Sequence, residues 1–218
     1  MEGLPQDRLT EPEGREGRRF AAVVIGGSAG GIRAVTAIVA ALPPNFALPV
    51  VVVLHQGAGD PTFWVEYLGR HASLPVVEAE DKLPLTRGTI HCAPADYHLL
   101  VERDGTLALS MDERVNYSRP SIDLLFASAA EAYGPALIGV VLTGANSDGA
   151  RGLAEIAASG GLALVQAPVT AEWPAMPEAA LRMTPQALVV PLDEIATTLT
   201  TLTRQGDSLP ARIEREGR

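Results

Sequence analysis

The segment FAAVVIGGSAGGIRAVTAIVAAL, residues 20–42, decides the fold expected for this chain. Its first six residues form a continuous apolar run, which is typical of a strand buried on both faces of a sheet. A glycine-rich turn follows, and then a helical pattern that ends at Pro43 and Pro44. A strand, a tight turn and a helix in this order predict an α/β protein.

Apolar runs of the same kind recur downstream between helical patterns, at residues 48–54, 136–142, 162–167 and 187–192. Alternating strands and helices require right-handed crossovers and favour parallel pairing. We therefore predict a doubly wound, mostly parallel sheet flanked by helices. The stretch around 88–110 has a different pattern and predicts an antiparallel hairpin excursion from that sheet.

Length and composition favour one domain. The chain has 218 residues, of which 47% are hydrophobic, enough to form a single substantial core. We assign residues 20–203 to this domain. The polar, charged segments 1–19 and 204–218 predict a disordered lead-in and a flexible tail.

The charge and the apolar pattern argue against several classes of protein. The formal net charge is −9 and no large Lys/Arg cluster is present, so nucleic-acid binding is not expected. No apolar run approaches the roughly 18 residues of a membrane span, and the first residues carry charges where a signal peptide is apolar. These patterns predict a cytoplasmic protein without membrane insertion.

Metal and disulfide chemistry are not expected either. Cys92 is the single cysteine of the sequence, so no internal disulfide can form. His71 and His91 show no ligand spacing, so we predict no metal site.

Three chemically suited residues follow the three strongest predicted strands. Ser28 lies in the glycine-rich turn after the first, His55 follows the second, and Asp148 lies in the loop after the third. In doubly wound sheets, ligands bind at the carboxyl ends of the strands, so these side chains are expected to meet there. An imidazole can take the proton of a serine hydroxyl, and a buried carboxylate fixes its tautomer. The set predicts a serine hydrolase.

Each residue also has a structural alternative. Ser28 and Asp148 each precede a predicted helix and could cap it, and His55 could be a hydrogen-bonded histidine at a strand end. A glycine-rich turn after a first strand also suits a nucleotide-binding module, although Ser28 occupies the position of the second glycine of that motif. The residues alone leave these alternatives open.

The turn around Ser28 fits the G-x-S-x-G elbow, in which glycines permit a sharp strand-to-helix turn. However, an α/β-hydrolase has the order Ser, acidic residue, His, with its elbow late in the sheet. Here the order is Ser, His, Asp and the elbow follows the first strand. The α/β-hydrolase fold is therefore excluded.

From about residue 22 to residue 183, the chain resembles the catalytic domain of CheB-type protein-glutamate methylesterases. Six motifs in order carry this resemblance: IGGSAGG (25–31), VVLHQ (52–56), EAEDKLPLTRGTIHCAPADYHLL (78–100), SRPSIDLLFASAA (118–130), GVVLTGANSDGARGL (139–153) and Met176-Pro177.

The resemblance implies an enzyme that removes methyl esters from glutamyl side chains of a chemoreceptor or a related signalling protein, with glutamine deamidation as a further activity. It assigns Ser28 as nucleophile, His55 as general base and Asp148 as the orienting carboxylate. It places the oxyanion hole at the backbone N–H groups of Ala29 and Ala145, and it implies no cofactor. A non-catalytic receptor-binding adaptor with the same fold is the alternative.

The sequence departs from the family pattern in four respects. Ala29 replaces a threonine, Ala145 replaces a methionine, and Asn146 replaces the second glycine of a T-G-M-G segment. No receiver domain precedes the catalytic domain, so a stand-alone enzyme with different regulation is expected.

The same resemblance implies roles for further residues. Arg119, Ser121, Asp123 and Thr143 are expected to line the substrate cleft. The alternative for Ser121 or Asp123 is a helix cap. His98, in the predicted hairpin, is expected to be structural.

Overall fold

A computed structural model describes residues 19–55 and 63–205 of the chain. The predicted lead-in 1–19 and tail 204–218 lie outside these residues, apart from the residues that adjoin the domain.

Within the described ranges, nine strands form two sheets: β1 Ala22–Gly27, β2 Val50–Leu54, β3 Val76–Glu78, β4 Ile90–Cys92, β5 His98–Val101, β6 Leu107–Ser110, β7 Leu137–Val141, β8 Leu162–Gln166 and β9 Leu188–Val190. The main sheet has seven strands in the order β3-β4-β2-β1-β7-β8-β9, and every neighbouring pair in it is parallel. The predicted parallel sheet is confirmed.

Helices cover both faces of this sheet: α1 Gly31–Ala41, α2 Phe63–His71, α3 Ile122–Tyr133, α4 Ala150–Ala158, α5 Ala175–Met183 and α6 Ile195–Gln205. One core cluster contains residues of α1, α2 and α6, and a second contains residues of α3, α4 and α5. This two-sided arrangement confirms the doubly wound fold. Among the helices of the described ranges, none is both long enough and apolar enough to cross a membrane.

β1 is the central strand of the sheet, with β2 on one side and β7 on the other. Successive side chains of a strand point to opposite faces. Ala22 and Val24 accordingly enter one core cluster, and Val23 and Ile25 enter the other. All four are 0% exposed, which explains why the strand has a continuous apolar sequence rather than an alternating one.

The hairpin is present, but it is shorter than the predicted excursion. β5 and β6 pair antiparallel, with His98 opposite Ser110. Ile90–Cys92, which falls within the predicted excursion, instead forms β4 and pairs parallel with β2 and β3 in the main sheet. A strand of three residues is too short to show a periodic pattern in the sequence.

α6 had no counterpart in the predicted elements. Its sequence IATTLTTLTRQ is rich in threonine, which has low helix propensity. Ile195, Ala196 and Leu199 are nevertheless 0–2% exposed and pack in the core with α1 and α2. Burial of this apolar face outweighs the weak propensity.

Candidate active site

Ser28 lies directly after β1, at the carboxyl edge of the sheet. Its backbone N–H donates to the Thr143 carbonyl at 3.0 Å, and its own carbonyl accepts from the Gly31 N–H at 2.7 Å. The N-cap of α1 is Gly30, with φ 75° and no side-chain cap. Within the described residues, the Ser28 hydroxyl makes no hydrogen bond, so Ser28 does not cap α1.

His55 lies beside Ser28 because the two residues follow paired strands. Gly27 of β1 is in register with Leu54 of β2. The His55 N–H continues this pairing and donates to the Gly27 carbonyl at 3.1 Å. The His55 side chain is 12% exposed, so the ring is largely shielded while its edge still reaches solvent.

Asp148 reaches the same place from the loop between β7 and α4. Its Oδ2 is 2.8 Å from His55 Nε2, and its side chain is 0% exposed. β1, β2 and β7 thus bring Ser28, His55 and Asp148 to one edge of the sheet. The three residues therefore lie where the sequence predicted, beyond the carboxyl ends of adjacent strands.

The carboxylate of Asp148 lies at the N-terminus of α3. Its oxygens accept from the backbone N–H groups of Ile122 at 2.8 Å and Asp123 at 3.0 Å, and from the Ser121 hydroxyl at 3.1 Å. The N-cap of the following helix, α4, is Gly149 rather than Asp148. Asp148 is therefore directed back toward α3 and His55.

Two opposing effects act on the pKa of Asp148. Burial raises the pKa, but the hydrogen bonds from His55, Ile122 and Asp123 lower it by more, so it lies below its ordinary value. The carboxylate is therefore an anion at neutral pH. A buried anion beside His55 Nε2 is the group needed to hold a proton on that nitrogen and to stabilise an imidazolium.

Ser121 and Asp123 are buried, at 0% and 3% exposure. The Ser121 hydroxyl accepts from the Leu124 N–H at 3.4 Å, as the N-cap of α3. Asp123 Oδ1 accepts from the N–H groups of Gly149 at 2.9 Å and Gly152 at 2.8 Å, at the start of α4. Ser121 thus has the predicted alternative role as the cap of α3, whereas Asp123 lies within α3 and its carboxylate binds the start of α4.

Thr143 is also buried, at 2% exposure. Its hydroxyl donates to the Ala29 carbonyl at 3.0 Å and accepts from the Trp173 N–H at 2.8 Å. The Thr143 N–H donates to Gln166 Oε1 at 2.9 Å. Thr143 therefore joins the Ser28 turn to β8 and to the loop with Trp173, and its buried hydroxyl both donates and accepts within the protein.

Arg119 is half-buried and its guanidinium is held by the neighbouring loop. Nη1 donates to the carbonyls of Met111 at 2.9 Å and Asp112 at 3.1 Å. His98 is fully buried: its Nδ1 accepts from the Ser121 N–H at 3.1 Å, and its Nε2 lies 3.0 Å from the Glu113 carbonyl. His98 has the structural position expected from the sequence.

The backbone N–H groups of Ala29 and Ala145 have no acceptor within the described residues. Ala29 directly follows Ser28 at the approach to α1, and Ala145 lies in the loop that carries Asp148. Backbone N–H groups without an acceptor are the kind of donor that an oxyanion requires.

Sequence reasoning did not identify the roles of three residues at this site. Asn146 Nδ2 lies 3.2 Å from His55 Nδ1, the second ring nitrogen. Gln166, fully buried in β8, supports Thr143. Met176 packs against Gly144. A polar glutamine at the end of an apolar strand was the one signal in the sequence that pointed to such support.

Two further observations concern the single cysteine and the metal-ligating residue types among residues 19–55 and 63–205. Cys92 is buried in β4, and burial together with the charge of Glu78 raises the pKa of its thiol. In these ranges no three His, Cys, Asp or Glu side chains are grouped to hold a metal ion.

The chain is similar in sequence to a protein-family model and to named proteins. The family model described as CheB methylesterase matches residues 23–199. A protein of Leptospira interrogans, provisionally named as a protein-glutamate methylesterase/protein-glutamine glutaminase, is 49% identical over 177 residues, which cover 81% of this chain and 92% of that protein. The Myxococcus xanthus protein-glutamate methylesterase FrzG is 37% identical over 177 residues, covering 81% of this chain but 53% of FrzG.

A solved structure is similar as well. The crystal structure of the Thermotoga maritima CheB methylesterase catalytic domain matches with a TM-score of 0.80 and 33% sequence identity, covering 84% of this chain and 98% of that one.

Proposed function

The chain belongs to the CheB methylesterase family, and we propose that it hydrolyses the methyl esters of glutamyl side chains with Ser28 as nucleophile. The observation that carries the proposal is the 2.8 Å contact between His55 Nε2 and the buried, anionic Asp148, next to the turn that presents Ser28. A carboxylate on Nε2 leaves Nδ1 as the nitrogen that accepts the Ser28 proton.

The proposed reaction has two halves. Ser28 Oγ attacks the ester carbonyl carbon while its proton moves to His55 Nδ1, and the carbonyl oxygen becomes an oxyanion. The N–H groups of Ala29 and Ala145 donate to that oxyanion. The bond to the methoxy oxygen then breaks, methanol leaves with the proton from His55, and the glutamyl group stays on Ser28 as an ester.

Water completes the cycle. His55 Nδ1 takes a proton from water as the water oxygen attacks the acyl carbon. His55 then passes that proton to Ser28 Oγ when the bond between Ser28 and the acyl group breaks. The products are a glutamate carboxyl group and methanol. With a glutamine side chain in place of the ester, the leaving group is ammonia. This reaction is a glutaminase activity, the second activity in the name of the Leptospira relative.

The proposed substrate class is a protein that carries glutamyl methyl esters, because the names of the relatives specify protein glutamate. A methylated chemoreceptor or a related signalling protein is the substrate that the family resemblance implies. Contact between Arg119 and the acidic surroundings of a methylation site stays a prediction, tested by the effect of Arg119→Ala on KM against kcat. A cytoplasmic location also stays a prediction. Ser121, Asp123 and Thr143 are assigned to positioning because they are buried.

Methanol release from a methylated receptor fragment tests the proposal. We expect Ser28→Ala to abolish release while the protein keeps its fold, and Asp148→Asn to lower kcat by about 10⁴. Ser147→Ala is the matched control, because Ser147 is an exposed serine in the Asp148 loop whose hydroxyl has no hydrogen bond within the described residues. A fluorophosphonate should label Ser28 and not Ser147.

The same experiment separates the enzyme from a receptor-binding adaptor. A folded protein that binds the methylated fragment but releases no methanol, and whose Ser28 is not labelled, would be an adaptor. Methanol release by Ser28→Ala at the rate of the unmodified chain would overturn the nucleophile assignment.

A further inference from the structure

Asn146 lies between the Asp148 backbone and the His55 ring. The Asp148 N–H donates to Asn146 Oδ1 at 3.1 Å. A backbone N–H is a donor only, so the side-chain atom facing it must be the amide oxygen. The amide nitrogen is therefore the atom 3.2 Å from His55 Nδ1.

This contact fixes the protonation of the neutral ring. An amide nitrogen only donates, so Nδ1 must be the unprotonated acceptor. The ring proton is then on Nε2, where the Asp148 carboxylate accepts it at 2.8 Å. Two independent contacts thus select the same tautomer.

In that tautomer, Asn146 and Ser28 compete for the same ring nitrogen of His55. The Nδ1 lone pair that accepts from Asn146 is the one that must take the Ser28 proton, and the Ser28 hydroxyl has no hydrogen bond within the described residues. We propose that Asn146 is a positioning residue that occupies His55 Nδ1 in the resting enzyme and must release it before Ser28 is deprotonated. The inference rests on the proposed function for the role of Ser28.

When Asn146 is removed, the charged groups around the His55 ring determine which ring nitrogen holds the proton. Asp148 is the only carboxylate among the described residues that contacts the ring. Asp123 on α3 lies behind Asp148 and faces the start of α4. Glu172 lies beside Gly30 and pairs with Arg33 at 3.1 Å. Because Asp148 holds the Nε2 proton by itself, loss of the amide should free Nδ1 without changing the tautomer.

The test combines two measurements on Asn146→Ala, Asn146→Asp and the matched control Ser147→Ala. One is a pH titration of the His55 ring by ¹⁵N NMR, which reads the tautomer and the midpoint without turnover. The other is the rate at which a fluorophosphonate inactivates Ser28. Asn146 does not have a positive φ, so alanine fits its backbone.

Asn146→Ala removes a donor that favours the neutral ring. We expect the ¹⁵N midpoint to rise, and the inactivation rate above that midpoint to rise about three- to tenfold, the range of one neutral hydrogen bond. In Asn146→Asp, a carboxylate oxygen accepts from a protonated Nδ1. The midpoint should therefore rise further and the rate at neutral pH should fall. Ser147→Ala should change neither.

Equal losses of rate in both Asn146 variants, with an unchanged midpoint, would assign Asn146 a structural role and overturn the inference. A ¹⁵N signal showing the proton on Nδ1 of the unmodified neutral ring would also overturn it. If Ser28 is not labelled in any variant, the proposed function fails, and the ¹⁵N midpoint still decides whether Asn146 acts on the ring.

Discussion

Met176 packs so closely on Gly144 that a β-carbon built on this glycine would lie 1.9 Å from Met176 Sδ. The same β-carbon would lie 3.0 Å from Ser28 Cβ. Gly144 is in turn fixed by hydrogen bonds, because its N–H donates to the Trp173 carbonyl at 2.9 Å and its carbonyl accepts from the Met176 N–H at 3.0 Å. The close approach of Met176 and the Ser28 turn at this point therefore requires a residue without a side chain.

Gly144→Ala should displace both neighbours. We expect the free energy of unfolding to fall by about 1–3 kcal/mol, as for other overpacked sites. The fluorophosphonate labelling rate of Ser28 should fall at least about tenfold, because small displacements of a reacting group have large effects on rate. Chemical denaturation and labelling kinetics measure the two effects.

Gly69→Ala is the control for that substitution. Gly69 lies in α2, and the nearest atom to a β-carbon there is Val76 Cβ at 3.9 Å, an ordinary contact. Alanine in a helix interior should stabilise by about 0.5–1 kcal/mol and leave labelling unchanged. Normal labelling in Gly144→Ala would contradict the prediction.

Ser121→Ala should affect both stability and activity. It removes the N-cap of α3, which typically costs about 1 kcal/mol. It also removes the hydroxyl that donates to Asp148 at 3.1 Å. Loss of this hydrogen bond to a charged group should lower kcat by about tenfold. Unfolding and methanol release are measured on the same preparation.

Ser128→Ala tests whether that activity loss is specific. Ser128 is on the same helix, and its hydroxyl donates to the Leu125 carbonyl at 3.0 Å and accepts from the Val101 N–H at 3.1 Å, away from Asp148. We expect a similar loss of stability with kcat unchanged. Equal kcat values for the two variants would mean that Ser121 acts only as a cap.

Asp123 should make the stability of the fold depend on pH. Burial and the charge of Asp148 raise the pKa of Asp123, although the Gly152 N–H and Arg151 oppose the shift. A carboxyl group whose pKa is higher in the folded state binds more protons there than when unfolded. Its contribution to stability therefore falls as the pH rises from the unfolded pKa, about 3.9, through the folded one.

Asp123→Asn should remove that dependence. We expect the free energy of unfolding of the variant to increase relative to that of the unmodified protein as the pH rises through this interval. Chemical denaturation at a series of pH values measures this difference. Asp112→Asn, at an exposed residue of the loop before α3, is the control and should show no such trend. A difference that is constant with pH would refute the assignment.

Leu199→Ala tests the helix that the sequence did not predict. Leu199 is 0% exposed in the core with α1, so its truncation should lower the free energy of unfolding by about 2–5 kcal/mol. Thr201→Ala, at an exposed position of the same helix, should change it by less than about 0.5 kcal/mol. Similar small effects for both would mean that α6 is not part of the core.

The parallel sheet was predictable because its central strands have continuous Val, Ile and Leu runs, a pattern that burial on both faces requires. The place of Ser28 and His55 was predictable for a related reason. They follow strands whose carboxyl ends share an edge, and this is a property of topology rather than of exact contacts.

Other features depend on contacts between distant parts of the chain. Asp148 precedes α4 in sequence, and a local rule makes it the cap of that helix, whereas its carboxylate binds the start of α3. The orientation of the Asn146 amide follows from the Asp148 N–H and the His55 ring together. α6 forms through tertiary burial against its own propensity. No pattern within one segment carries this information.

β1 lies between β2 and β7, and each neighbour brings one partner to Ser28. A chain emerging from the ribosome presents Ser28 and His55 long before the segment with Asp148 has been made. Until β7 docks on β1, no carboxylate holds the imidazole and the Thr143 carbonyl is not there to fix the Ser28 turn. In the proposed mechanism the site of Ser28 is therefore incomplete until β7 lies beside β1, and a chain that ends before β7 is expected to be inert toward esters.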